Sequence, residues 1–414
     1  MNVFIAGVGM TPLGKHPNHS VKQLTGMSVA AALQDAGLST QDIQAAWFSN
    51  TRQGIFEGQH GLRGQCALRA NGFGGIPVFN TDAACASSSL GLNLAVAYLK
   101  AGMADIALVV GTEKMHYPGK KLLMFEAFWG SVDQDLGREQ LQRAIALSSS
   151  ATPFAAEVAG STGEHSVFME FYAAMARHHM AKFGLTQRQL AMVASKNHWN
   201  SQWNPLAQYR TPMTVEEVLA DRQIVWPLTR SMCAPMSDGS GAVVLCSERA
   251  LKRMDRDRCV RILATQCAMG MAHEVDDFEN HLVHRVAHSA YEEAGIGPKD
   301  IDVIELHDAS AFGEIKHLES LGICPQGEGG ALTESGATRL DGRIPVNPSG
   351  GLLSKGHPIA ATGCIQMFEL VTQLRGEAHE RQVVGARLAL AENGGGFYDG
   401  EEAVAAVTIL ERTQ

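Results

Sequence analysis

The chain is short of charge and of aromatic rings. Of 414 residues only 19% are Asp, Glu, Lys or Arg and 6% are Phe, Trp or Tyr, against 45% hydrophobic. That apolar content suffices for a large core, so disordered and fibrous classes are excluded, and two or three domains of roughly 100–200 residues fit the length. No C-x-x-C pair occurs among the eight cysteines, so neither a zinc ribbon nor a disulfide scaffold is encoded. No apolar run approaches the roughly 20 residues of a membrane span. No basic block could follow a phosphate backbone, and the net charge is −9, so nucleic acid is not an expected partner. MNVFIAGVGM lacks a basic leader and ERTQ is no S-K-L address; an unprocessed cytoplasmic chain is expected.

What the chain does contain is an internal repeat. AALQDAGLSTQDIQAAWFSN at 31–50 returns as SAYEEAGIGPKDIDVIELHD at 289–308, with Ala36-Gly37 matched to Ala294-Gly295 and Asp42-Ile43 to Asp300-Ile301. Each copy reads as an amphipathic helix stopped by glycine, a turn with Asp, and a β-branched or aromatic strand. ADIALVVGTE (104–113) likewise returns as ARLALAENGG (386–395), and the apolar strands NVFIAGVGM and VRILATQCAMG stand upstream of the two copies. The pattern predicts an α/β protein of two similar halves, 1–250 and 255–414. Residues from about 116 to 225 have no counterpart. KKLLMFEAFWG, FYAAMARHHMAKFG and TQRQLAMVASKNHW carry helical periodicity there, so an inserted lobe is expected, which often walls a pocket.

Four segments could carry chemistry. In NTDAACASSSLGLNLAVAYLKAG, Cys85 stands between a strand and a helix, where the helix dipole and free N–H groups favour a nucleophilic thiolate. The other seven cysteines read as core fillers. In IPVNPSGGLLSKGHPIAATG, Gly356-His357-Pro358 fixes an imidazole at a helix start, suited to accept a thiol proton. The repeat places these two turns at equivalent positions, so a pseudo-dyad would bring them face to face. In VIELHDASAFGEI, His307-Asp308 closes a strand where an α/β sheet presents its carboxyl ends. In ALAENGGGFYDG, a strand ends in Glu392, Asn393 and three glycines, able to aim N–H groups at an oxyanion. His281, His284 and His288 share a helical face but lack a completing carboxylate or thiolate, so no metal is expected in this chain; His178-His179 read as solvated.

Together with NPLAQYRTPMTVEEVL and APMSDGSGAVVL, these segments resemble the thiolase superfamily, and within it the sterol-carrier-protein-type thiolases of bacteria and archaea, over almost the whole chain. The resemblance implies the thiolase fold: two βαβαβαββ-type halves in α-β-α-β-α layers with an inserted loop lobe. It implies an acyltransferase that uses coenzyme A as substrate. Cys85 would accept the acyl group and His357 would activate it. His307 would join His357 in holding a thioester enolate, and the N–H groups of Cys85 and Gly394 would hold the tetrahedral intermediate. The pattern breaks at the second cysteine, the usual acid/base. Glu392 stands in its C-x-G position, and Ala309 followed by Ser310 stands where sterol-carrier-type members have H-D-C-F. Glu392, Tyr398 or water is then expected to carry the proton. Relatives with H-D-A resemble thiolase components that work with a small zinc-ribbon and OB-fold partner. That circle cleaves aromatic or branched 3-oxoacyl-CoA such as benzoylsuccinyl-CoA, acetylates phenolic rings (phloroglucinol acetyltransferase-like systems), or forms acetoacetyl-CoA.

Thiolysis of a bulky or aromatic 3-oxoacyl-CoA by a homodimer is therefore the expectation. Met115, Met124, Phe125, Phe128 and Trp129 are candidates for an apolar acyl wall. A carbon-acyltransferase, an acetoacetyl-CoA-forming condensing enzyme, or a non-catalytic acyl-CoA carrier are the alternatives.

Overall fold

Every residue of the first strand is buried, and its side chains alternate between two cores, Val3 and Ile5 on one face and Phe4 and Ala6 on the other. In the computed structural model, which describes residues 1–150, 165–274 and 276–413, the strands are β1 (Val3–Met10), β2 (Ala45–Ser49), β3 (Val78–Thr81), β4 (Ile106–Glu113), β5 (Gln223–Val225), β6 (Leu228–Thr229), β7 (Gly239–Ser247), β8 (Val260–Met269), β9 (Val303–Glu305), β10 (Leu388–Gly395) and β11 (Val404–Arg412). Nine of them form one mixed sheet in the order β3-β2-β4-β7-β1-β8-β11-β10-β9. The order has a pseudo-twofold between β1 and β8: β7 answers β11, β4 answers β10, and β2 answers β9. Even β3 has a counterpart in the parallel bridge of Ile304 to Val346. The repeat seen in the sequence is thus a repeat in space. The halves are stitched by a short antiparallel contact, Val3 to Ile262 through Ile5 to Val260.

The helices are α1 (Val21–Ala36), α2 (Gln53–Glu57), α3 (Arg63–Arg69), α4 (Ser87–Lys100), α5 (Lys121–Trp129), α6 (Gly137–Ser150), α7 (Val167–Phe183), α8 (Gln187–Ser201), α9 (Val215–Ala220), α10 (Leu282–Ala294), α11 (Ala311–Ser320), α12 (Gly329–Glu334) and α13 (Thr362–Arg375). The repeated local signals work as expected. Gly37 (φ 65°) stops α1 and Gly295 (φ 71°) stops α10, both in the left-handed region that glycine tolerates. The following turns are pinned alike, by the Ser39 amide on Asp42 at 3.0 Å and the Gly297 amide on Asp300 at 2.8 Å. α1 covers the outer face of the first half and α10 that of the second. α4 and α13 fill the layer between, in a core shared by Trp47, Val96, Leu370 and Ala389. Their crossing is tight: a Cβ on Gly363 would lie 2.2 Å from Ser89 Oγ, and the Cys364 amide donates to Ser88 Oγ. The result is the expected α-β-α-β-α stack.

The described part of the lobe between β4 and β7 is mainly helical, with the short β5-β6 pair. Gly184 (φ 77°) ends α7, and Thr186, accepting from the Gln189 amide, starts α8. Its core joins Phe171, Tyr172, Leu190 and Val193 to Phe312 and Ile315 of α11 and to Leu352 and Leu353, so the first half's insertion is anchored on the second half. His179 departs from the solvated reading: it is buried against Glu319 at 3.1 Å, because α7 packs on α11. Among the described residues no helix is long and apolar enough to cross a membrane.

Candidate active site

Two dyad-related turns build the site. Ala84–Ala86 forms a single helical turn before α4, and Ile359–Ala361 forms its counterpart before α13. Each is gripped by a strand of the opposite half. A Cβ on Gly395 of β10 would meet Ala83 O at 2.2 Å and Ala86 N at 2.8 Å, and one on Gly111 of β4 would meet Ala360 O at 2.5 Å. Only glycine permits such approach. Ala84 holds φ 48°, a left-handed conformation costing a non-glycine about 1–3 kcal/mol, and it is maintained by Ser87, whose Oγ accepts from the Ala83 amide and donates to Ala84 O. Asn393 Nδ2 donates to Cys85 O at 2.9 Å and to Ser89 Oγ. From the other turn, the His357 amide donates to Ser237 Oγ at 2.8 Å. His307 lies two residues beyond β9, its amide held by Glu392 Oε2 at 3.0 Å.

These elements bring Cys85, His307 and His357 together. Their sulfur and ring nitrogens lie within 4.8 Å of one another, the only such trio of His, Cys, Asp or Glu among the described residues. The two imidazoles meet edge to face with centroids 5.3 Å apart. Neither nitrogen of His307, nor Nε2 of His357, has a protein partner among the described residues, so these atoms keep their hydrogen-bonding capacity for a ligand.

The electrostatics overturn one expectation. Burial pushes the Cys85 thiol up to about 12; Arg52 draws it down, Glu113 pushes it up, and the amides of Cys85 and Gly396 draw it down, without restoring a resting thiolate. The helix N-terminus is outweighed because the sulfur is enclosed. Burial also lowers His307, to about 3, helped by the charge on His317, and lowers His357 well below the ordinary value, helped by His307 and Lys355. Both imidazoles are therefore neutral at rest.

His317 explains part of this. Burial draws its pKa down, but Glu392 and Glu402 overcome that and raise it to about 9. Its Nδ1 pairs with Glu392 at 3.0 Å, its Nε2 with Glu402 at 3.2 Å, and Lys316 joins Glu402 at 3.1 Å. A histidine raised above its unfolded value of about 6.5 stabilises the fold fully below pH 6.5 and ceases to as pH rises through about 9. Urea titrations should therefore show stability falling between pH 6.5 and 9.5, with that fall reduced in His317→Gln. Equal pH slopes in the two proteins would sink this account.

Glu392 consequently does not reach the site. It is fully buried beside His307, and its Oε2 takes both the His307 amide and His317. Tyr398 is 45% exposed on the turn after β10. Gly394 lies in the ladder opposite Ala405, and its Cβ position faces Glu402. The amide that meets the Cys85 sulfur belongs to Gly396, two residues further, because β10 continues through Gly395 before the chain turns. Asp308 is a scaffold group, accepting from Asn197 and from the amides of Leu352 and Leu353. The His281, His284 and His288 face has separate partners: Glu401, the Ser320 carbonyl with Glu279, and Glu292.

The trio lies in the wall of a cavity of about 940 Å³. Met115, Met124, Phe125 and Phe128 line it as expected; Trp129 instead packs within the lobe beneath Arg138. Phe168, Met169 and Tyr172 of α7 complete the apolar wall, and Ala309 lines it too. Its charged lining is mainly basic, including Arg52, Arg210, Arg222 and Arg230, with Glu217 the one carboxylate among the described residues. Arg52 was not singled out from the sequence, although it follows the carboxyl end of β2, where such sheets place ligand contacts.

A mixed sheet with its site at paired turns of two repeated halves is a thiolase architecture. The chain belongs to the thiolase family. Residues 3–226 match "Thiolase, N-terminal domain" and residues 264–412 match "Thiolase C-terminal domain-like". It is 34% identical to an acetyl-CoA acetyltransferase of Methanothermobacter thermautotrophicus, over 95% of this chain and 96% of that protein. It is 32% identical to the benzoylsuccinyl-CoA thiolase subunit BbsB of Thauera aromatica, over 92% and 91%. Among solved structures, the Ltp2-ChsH2(DUF35) aldolase superposes with a TM-score of 0.76 at 22% identity, covering 99% of this chain and 98% of that one, a likeness of fold.

Proposed function

We propose that the chain catalyses CoA-dependent thiolytic cleavage of a bulky or aromatic 3-oxoacyl-CoA through an acyl-Cys85 intermediate. The convergence of Cys85, His307 and His357 on an apolar cavity carries this reading. His357 takes the thiol proton as the sulfur attacks the 3-oxo carbon. The amides of Cys85 and Gly396 stabilise the oxyanion. The carbon–carbon bond then breaks, and the leaving thioester enolate is held by His307 and His357. The proton on His357 passes to that carbanion, so no second cysteine is needed. Free CoA repeats the cycle in reverse order, giving its thiol proton to His357 and receiving the acyl group, and the proton returns to Cys85. Arg210, Arg222 and Arg230 offer cations for the CoA phosphates.

The aromatic and methionine walls, and the 32% identity to a benzoylsuccinyl-CoA thiolase subunit, support a bulky acyl group. Two relatives are named as parts of assemblies, which supports a small partner protein; a homodimer belongs to the same proposal. Intact-protein mass after incubation with acetyl-, succinyl- or benzoyl-CoA is expected to rise by one acyl group and to fall back on addition of CoA. Absence of any adduct, with the partner supplied, would overturn the reading in favour of a carrier.

A further inference from the structure

Arg52 is the feature of the cavity that the thiolase cycle leaves without a task. It is 5% exposed, yet it lines the acyl space with Met124, Phe125 and Phe128. One terminal nitrogen donates to Ser131 Oγ at 2.6 Å, and the guanidinium stands 5.9 Å from the centre of the Phe128 ring. Its Nε is buried with no partner, and no carboxylate comes within 4 Å of the guanidinium among the described residues. Glu113, whose charge it does feel, is occupied elsewhere: its oxygens accept from Asn50, from Thr51, and from the backbone amides of Arg52 and Ala360. Arg230, another cation of the cavity, is by contrast paired with Asp221 at 3.0 Å.

A buried guanidinium with no carboxylate at ion-pair distance and an unpartnered Nε is costly, and a ligand anion would offset that cost. Its planar fork suits a carboxylate, which it can grip with two parallel hydrogen bonds. The CoA phosphates are the wrong anion for it. Arg52 is the chief cation acting on the Cys85 sulfur, and the pantetheine arm holds the phosphates a full arm's length from a thioester at that sulfur. Resting on the thiolase reading of the site, we propose that Arg52 is a carboxylate-binding subsite, and that the substrate is a 3-oxoacyl-CoA carrying a second, free carboxylate.

The test compares succinyl-CoA with butyryl-CoA, which differ by a carboxylate in place of a methyl group, in equilibrium binding to the full chain bearing Cys85→Ala. Succinyl-CoA should bind about tenfold tighter or better. Adding Arg52→Gln should erase the preference, and Arg52→Lys should retain part of it. Equal affinities at the outset, or a preference that survives Arg52→Gln, would overturn the proposal. Binding requires no acyl transfer. A failure of the thiolase reading would therefore appear separately, as the absence of a Cys85 adduct in the unmodified protein.

Discussion

Cys85→Ser should lower CoA-dependent cleavage by on the order of 10³-fold or more and abolish the acyl mass increment. The exchange conserves size and hydrogen bonding, so the turn clamped by Ser87 and Asn393 should keep its shape. What changes is the nucleophile. With the thiol already pushed up to about 12 by burial, the enzyme relies on transferring its proton at the moment of attack, and a serine hydroxyl is harder to ionise and less nucleophilic than a thiol. The measurement is steady-state cleavage of a 3-oxoacyl-CoA alongside intact mass. Cleavage at the parental rate would remove Cys85 from the chemistry.

His357→Ala should cost about 10²–10⁴-fold in the rate of Cys85 acylation, the range of a positioned general base. Its pH dependence carries a sign that follows from burial. A histidine lowered well below its ordinary value keeps its base form as the solution is acidified. The acylation rate should therefore stay flat from pH 8 down past 6.5, with the acid limb displaced below that of a free imidazole. The same lowering means that His357 and His307 favour the fold above pH 6.5 and cease to do so as pH falls toward their folded values. Stopped-flow acylation between pH 5 and 8 decides the matter: an inflection near 6.5, or a variant as fast as the parent, would remove His357 as base.

The architecture was readable because the repeat is written in local signals. Ala36-Gly37 and Ala294-Gly295 each end an amphipathic helical stretch, and Asp42 and Asp300 pin the turns that follow, so neighbouring residues sufficed. Cys85, His307 and His357 could be named for a similar reason, each lying at a junction between elements. The protonation of Cys85 was misread, because a helix start is visible in sequence but the enclosure that opposes it comes from segments far along the chain. Gly394 was named in place of Gly396 by a matter of register: whether β10 ends before or after Gly395 decides which amide meets the sulfur, and three consecutive glycines carry no mark of that boundary. Arg52 escaped notice because an isolated arginine after a strand looks like any surface cation until its burial is known.

The reciprocal grip of the two glycines makes the two halves depend on each other. Gly395 of the second copy supports the turn that carries Cys85, and Gly111 of the first copy supports the turn that carries Ala360. Ala360 stands at the centre of its turn as Cys85 does in the other, so one seat keeps a sulfur and the other has lost or never gained it. The first copy supplies the nucleophile, and the second supplies both imidazoles. Because each half braces the other's turn, loss of either half would unseat the turn that the remaining half contributes to the site.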